Sequence, residues 1–284
     1  MDRDAVWPVP ARLVRTDHAE PSVFQPERLL REARRQRGLV VDSVPEICLL
    51  DPDGDVVRWL QRTGCGQRSA TWACCHTDLW ETEVAGIPVG IIGNAVGAPF
   101  AVLVAEELFA SGCGLLLSVT SAGQIDPART LPCTILVDRA WRGEGTSSAY
   151  LPPARSVSGD AHLLSAVARV LQEAGIAAIQ GGTWTTDTPF RETRSALAAA
   201  TAAGLSAFEM EVAGLYAFAR ARGKPVVCFA VVTNEMAQNG DDFEKGPDNG
   251  AGQALALVAA AAAARGWRTL RAEPGIGSDT GETP

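Results

Sequence analysis

The chain has 284 residues, with 25 Lys and Arg against 33 Asp and Glu, a formal net charge of −8 and a hydrophobic fraction of 46%. That much apolar side chain supports a large core and excludes wholesale disorder, while the acidic balance argues against nucleic-acid backbone or anionic lipid as a partner, both being held by Lys and Arg. No apolar run reaches the roughly 18 residues of a membrane-spanning helix, and the first residues lack the basic-then-apolar order of a secretory leader, so no membrane partner is expected and a cytoplasmic location is.

Residues 1–24 carry Pro8, Pro10 and Pro21 and read as an irregular arm. A helix is predicted over 26–37, opened by Pro26 and closed by Gly38. A strand at 47–50 and a helix at 55–61 follow, then a strand at 87–93 and a helix at 99–109. Further strands are predicted at 114–120, 133–137 and 176–180. Helices are predicted at 162–173, with Asp160 as its cap, and at 191–203. The segment 206–209 leads into a helix at 212–222, followed by a strand at 225–232 and a last helix at 252–264. Continuous apolar strands alternating with helices imply a sheet covered on both faces. The expected organisation is an arm with a short helix (1–40), one α/β domain (41–268) and a loose tail (269–284).

The 7 Cys are odd in number, Cys74 and Cys75 adjoin rather than forming a CxxC pair, and there are only 3 His. No metal site is expected from such a set, and the thiols read as free in a reducing compartment, with Cys48, Cys113, Cys133 and Cys228 in apolar runs that suit the core. The glycine spacing of residues 93–99 (GNAVGAP) does not fit a dinucleotide turn, so no cofactor is expected.

In α/β sheets ligands gather where strands end and helices begin. The segments so placed are 51–55 (DPDGD), 93–99, 120–125 (TSAGQI), 208–212 (FEMEV) and 233–235 (TNE). Each alone admits a plain structural reading: glycines for backbone angles, and Glu209 and Glu211 as acids in the first turn of a helix.

Taken in order, GNAVGAPFAVLVAEEL, TSAGQI, TTDTPF, FEMEVAGLYAFA and VVTNE resemble the nucleoside phosphorylase-I superfamily, from about residue 87 to 264. That superfamily holds uridine and hexameric-type purine nucleoside phosphorylases together with related nucleosidases. The resemblance implies a three-layer α/β/α sandwich on a central mixed, largely parallel sheet. It implies a small-molecule nucleoside as ligand, and a homo-oligomer, a dimer or trimer of dimers.

By the same resemblance Glu211 holds the sugar hydroxyls and Met210 packs on the sugar face, with Glu209 as pocket or support. A carboxylate accepts from vicinal hydroxyls and a thioether is a shape-tolerant surface, so the residue types suit those tasks. Asn94, Ser121, Ala122 and Gly123 belong to the turns lining the pocket. Base contacts fall to Thr186 and Phe190, with Arg191 and Arg194 within reach of a pyrimidine carbonyl. His18 is placed for the sugar 5′-hydroxyl of a neighbouring subunit, and His76 stands beside an interfacial position.

The departures carry the functional argument. Where phosphorylases have a Gly-Asp-Pro loop and three arginines around phosphate, this chain has Asp51-Pro52-Asp53-Gly54-Asp55, then Val56, Cys75 and Ser118. Ordinary use of phosphate is therefore not expected. Asp51 or Asp53 can instead act as a base toward water. Asn234 stands where purine-specific relatives place a proton-donating Asp, and an amide delivers no proton; Glu235 is the alternative donor. The expectation is N-glycosidic cleavage of a pyrimidine or modified nucleoside by water or an unusual nucleophile. Two alternatives stay open: an ordinary phosphorylase whose phosphate is held by Arg58, His76 or another subunit, and a nucleoside-binding protein without turnover.

Overall fold

A computed structural model describes residues 17–235 and 251–272 of the chain. Most of residues 1–24 and all of the tail beyond residue 272 lie outside the described residues.

Helix α1 (Pro26–Arg37) starts on proline and stops at Gly38, whose φ of 65° lets the chain leave the helix in a left-handed turn. Then come β1 (Ile47–Asp51), α2 (Asp55–Thr63), β2 (Gln67–Arg68), β3 (Trp80–Val84), β4 (Ile87–Gly93), α3 (Ala98–Ala110), β5 (Leu115–Gln124) and β6 (Cys133–Gly143). The second half holds α4 (Ser147–Tyr150), β7 (Ser156–Ser158), α5 (Ala161–Glu173), β8 (Ile179–Thr186), a 3₁₀ turn (Pro189–Arg191), α6 (Arg194–Ala202), β9 (Leu205–Glu209), α7 (Val212–Arg222), β10 (Val226–Asn234) and α8 (Ala251–Ala272).

Among the described residues ten strands form one sheet in the order β10-β6-β8-β9-β5-β1-β4-β3-β2, with β7 on β6. A further parallel pairing of β10 with β5 closes the strands from β5 to β10 into a ring. The sheet is mixed: β4, β1, β5 and β10 run one way, while β10 meets β6 antiparallel and β6, β8 and β9 run together. Helices cover both faces. Side chains of α3 and α7 share one core with Leu50, Ile92 and Leu116, and those of α2, α5 and α8 share the other with Leu49, Ile91 and Leu117. Successive strand residues thus serve opposite cores, as a period of two requires. The expected α/β class with a central mixed sheet holds.

Several predicted elements differ in extent. The strand expected at 176–180 begins later, as β8, and runs to Thr186; the helix expected at 191–203 divides into a 3₁₀ turn and α6, because Thr193 accepts from the Ala196 N–H and caps a new start. Residues 120–124, expected in a loop, continue β5, and the last helix extends to Ala272. Asp160 caps α5 as expected, accepting from Leu163 N at 2.9 Å. Cys48, Cys74, Cys113 and Cys228 are buried, Cys133 is half-buried, and Cys65 and Cys75 are exposed, all free. No helix among the described residues is long and apolar enough to cross a membrane.

One pairing positions the site. β5 and β9 are antiparallel, and the end of β5 pairs with the second half of β9, Gly123 with Phe208 and Gln124 with Ala207. The carboxyl ends of strands running in opposite directions therefore converge, and the loops after β1 and β4 and the end of β10 open beside them.

Candidate active site

The convergence encloses a cavity of about 320 Å³, in the range that takes a small organic ligand. Its walls come from Pro52 and Asp53 after β1, Val96 after β4, Thr120 to Gly123 of β5, Thr186 and Pro189 after β8, and Glu192. Phe208 to Glu211 and Thr233-Asn234 complete them. A larger cleft of about 590 Å³ opens at the start of β10, between α5, α7 and α8. Of its polar groups, Asp160 caps α5 and the Tyr216 hydroxyl donates to the Val137 carbonyl at 2.5 Å, while Arg220, Lys224 and Arg271 make its wall basic.

Glu209 and Glu211 are both buried, and they do different things. One oxygen of Glu209 accepts from the Thr183 and Thr185 hydroxyls at 2.9 and 2.6 Å, and the other from the backbone N–H of Glu211 and Val212, both at 2.7 Å. Four donors, two of them at the N-terminus of α7, make Glu209 an anchor for that helix. Glu211 accepts from Gly97 N at 2.7 Å through Oε1 and from the Thr120 hydroxyl at 2.9 Å through Oε2. Each of its oxygens keeps a lone pair, and Met210 beside it lines the cavity. Burial, then the charge of Glu209, then Asp53 raise the proton affinity of Glu211. The N–H reaching Glu211 belongs to Gly97, whose φ of 86° allows the abrupt entry into α3.

Asp51 and Asp53 also part company. Asp51 is buried, does not line the cavity, and accepts from Val57 N at 3.1 Å on the first turn of α2. Its own carbonyl accepts from Gly54 N and Asn94 N. Burial pushes its carboxyl up to about 6. This geometry makes Asp51 a tie between β1, α2 and the loop after β4.

Asp53 lines the cavity, and its two oxygens accept from the Ser121 backbone N–H and the Ser121 hydroxyl, each at 2.9 Å. A backbone N–H and a hydroxyl aimed together form a small anion cradle. Here the chain's own carboxylate fills it. Arg58 donates to the Asp53 carbonyl at 2.9 Å and pairs with Asp55, so the nearby guanidinium is engaged outside the cavity.

At the base-facing segment the structure redistributes the expected contacts. Thr186 lines the cavity, but Phe190 is 99% exposed, so it offers no platform there, and Pro189 takes the wall position. Arg191 and Arg194 are exposed and do not line the cavity. The residue between them that does is Glu192, which sequence reasoning passed over. Its Oε1 is buried without a hydrogen-bond partner, and burial pushes its carboxyl up to about 7. Position alone signalled it: the 3₁₀ turn points every third residue one way, and a predicted continuous helix concealed that phase.

Asn234 is buried on the cavity wall and donates to the Thr233 hydroxyl at 3.4 Å, while Glu235 is exposed and off the wall. Asn94 is exposed, with a left-handed φ of 63°, and its amide packs over Gly54 rather than the cavity. His18 pairs with the Ser148 carbonyl at 3.2 Å, and His76 is exposed with its ring edge-on to Phe100; neither reaches the cavity within this chain. Among the described lining residues the ionisable side chains are Asp53, Glu192, Glu209 and Glu211, and none is cationic. No group of three or more His, Cys, Asp or Glu among the described residues is arranged to hold a metal ion.

The geometry can be set beside known proteins. The profile of the family described as Phosphorylase superfamily matches residues 47–266. Over 217 residues the chain is 25% identical to a uridine phosphorylase of Thermococcus kodakarensis, covering 66% of this chain and 78% of that protein. Two solved structures share the fold. One is a purine nucleoside phosphorylase from Toxoplasma gondii in complex with immucillin-H (TM-score 0.68, 19% identity, 80% of this chain and 93% of the other). The second is a uridine phosphorylase from Vibrio fischeri (TM-score 0.66, 21% identity, 81% and 95%).

Proposed function

The chain belongs to the phosphorylase superfamily, and from that premise we propose that it cleaves the N-glycosidic bond of a pyrimidine or modified nucleoside with water as the acceptor. The observation that carries this reading is Asp53 seated on both donors of Ser121. An external phosphate would have to displace a bound carboxylate and then sit among Asp53, Glu209 and Glu211 with no cation on the described wall. One like-charge contact at about 4 Å costs about 4 kcal/mol at an effective dielectric near 20.

The parts take these roles. Glu211, fixed by Gly97 N and the Thr120 hydroxyl, uses its remaining lone pairs for the sugar hydroxyls, and Met210 packs on the sugar. Negative charge around the ring stabilises the oxocarbenium-like transition state of glycosyl transfer. Asp53 orients a water and takes its proton, an effect of roughly 10²–10⁴-fold for a base within hydrogen-bond reach. Ser121 holds that carboxylate in place. Active sites completed by a neighbouring subunit, with His18 or His76 contributing across the interface, belong to the same proposal, as does a homo-oligomeric assembly.

Phosphorolysis is the second reading, supported by the names of the three proteins compared above, each a phosphorylase. Base release from a nucleoside panel, with and without phosphate, separates the two. The hydrolytic reading expects release in phosphate-free buffer and loss of at least 100-fold in Asp53→Asn. Strict dependence on phosphate overturns it, and saturable nucleoside binding without any turnover overturns both.

A further inference from the structure

We infer that Glu192 is the catalytic acid of the site, its carboxyl handing a proton to a ring nitrogen or carbonyl oxygen of the base as the glycosidic bond breaks. The inference rests on the glycoside-cleaving reading above. It adds a residue to that reading and a substrate class, a neutral base with an acceptor atom at its edge.

Sheet order sets where Glu192 stands. Across the site the strands run β8-β9-β5-β1. Asp53 follows β1, Ser121 lies on β5, Met210 and Glu211 follow β9, and Glu192 lies beyond β8 with Pro189. In that order the segment proposed to hold the sugar falls between Asp53 on one flank and Glu192 on the other. A carboxylate that activates water and a carboxyl that protonates the leaving group, one on each side of the scissile bond, are what glycoside hydrolysis requires.

The four lining carboxyls differ in what already donates to them. Glu209 accepts from four donors, Glu211 from Gly97 N and the Thr120 hydroxyl, and Asp53 from the N–H and hydroxyl of Ser121. Glu192 is half-buried, and its Oε1 is buried with no hydrogen-bond partner. A buried carboxylate oxygen without a donor is costly; the protonated carboxyl is less so, and its O–H then needs an acceptor. A base edge supplies one. The other polar groups near that end of the wall, the Thr186 and Thr233 hydroxyls and the Asn234 amide, release no proton near neutral pH.

Burial pushes the Glu192 carboxyl up to about 7, where an acid both carries and gives up its proton at neutral pH. Glu211 is raised to about 8, by burial and then by the charge of Glu209, yet both of its oxygens are held as acceptors beside Met210. The other titratable or charged groups around Glu192 are Asp53, Glu209 and Glu211 on the wall. Asp187, Arg191 and Arg194 stand on its own segment, and Glu235 follows β10 off the wall.

The step balances. The C1′–N bond breaks, its electron pair passes into the base, and the Glu192 proton goes to the base acceptor, releasing a neutral base. The water oxygen forms the new bond to C1′ and gives one proton to the Asp53 carboxylate. Solvent then carries a proton from Asp53 back to Glu192, so nucleoside and water become pentose and base.

The test sets Glu192→Gln against two kinds of leaving group in phosphate-free buffer. One probe is whichever of uridine, cytidine, inosine and guanosine the wild-type protein cleaves fastest. The other is 4-nitrophenyl β-D-ribofuranoside, whose nitrophenolate departs without a proton. The expected result is a kcat lower by at least 100-fold on the nucleoside and by less than fivefold on the nitrophenyl riboside. An acid works only while protonated, so wild-type kcat on the nucleoside should fall as pH rises through about 7. That fall should vanish in the variant, and it decides alone if the nitrophenyl riboside resists cleavage. Equal losses on both probes, unchanged nucleoside cleavage, or an alkaline fall that persists in the variant overturns the proposal and leaves glycoside cleavage standing. No base release by the wild-type protein from any of the four nucleosides, with or without phosphate, removes both.

Discussion

At the residue scale, acids that look alike in sequence divide their labour by what donates to them. Asp51 and Asp53 are two positions apart, yet one faces a helix N-terminus and the other a serine across the cavity. The Asp51 carboxyl is raised from 3.8 to about 6, chiefly by burial. A raised acid favours folding most when it is protonated, below its unfolded pKa, and that contribution is lost as pH climbs through 6. Asp51→Asn cannot ionise, so it should stabilise the protein at pH 8 relative to pH 4 by about 1–3 kcal/mol, read from urea unfolding at both pH values. Glu211 gives a complementary prediction. Glu211→Gln keeps an oxygen for Gly97 N and so keeps the fold, but replaces an acceptor oxygen facing the sugar by an amide N–H₂ that can only donate. Turnover should fall roughly 10²-fold while the melting temperature moves little.

At the element scale, the site depends on how closely α3 and α7 approach. Gly214 of α7 lies against Ala98 of α3, and a Cβ placed there would stand 2.7 Å from the Ala98 Cβ. Gly214→Ala should push the helices apart, costing about 1–3 kcal/mol by overpacking. It should also raise KM, because α3 begins beside the Gly97 N–H that holds Glu211. Thermal melts and steady-state kinetics on one preparation check both effects. The elements whose borders carry local signals were legible in the sequence: α1 between Pro26 and Gly38, α5 behind Asp160, and α7 ending at Gly223. The short strands β2, β3 and β7 were not, since Gln67-Arg68 and Trp80–Val84 have no continuous apolar run and their pairing is set by distant partners. The same limit governed the site. Glu209, Met210, Glu211 and Ser121, which line the cavity, were singled out because two short contiguous motifs carry them. The exchange of Arg191 and Arg194 for Glu192 was hidden, because it turns on the phase of a single 3₁₀ turn.

At the scale of the whole molecule, two strand directions meet tip to tip at β5 and β9, and the cavity sits where they meet. A homo-oligomer is part of the proposal, and Phe24, Val40 and Val41, exposed on either side of α1 in the chain, supply apolar surface for it. Sedimentation at micromolar concentration should give a mass that is a multiple of 29.8 kDa, and a monomer would exclude subunit-shared sites. The proposed hydrolysis turns on the acceptor, since the Asp53 carboxylate takes both donors of Ser121. The most direct measurement follows the phosphate pool by ³¹P NMR and the sugar by ¹H NMR during turnover of a cleaved nucleoside in phosphate buffer. Hydrolysis gives free pentose, with the inorganic phosphate signal unchanged as base accumulates. Stoichiometric appearance of a pentose 1-phosphate would contradict it.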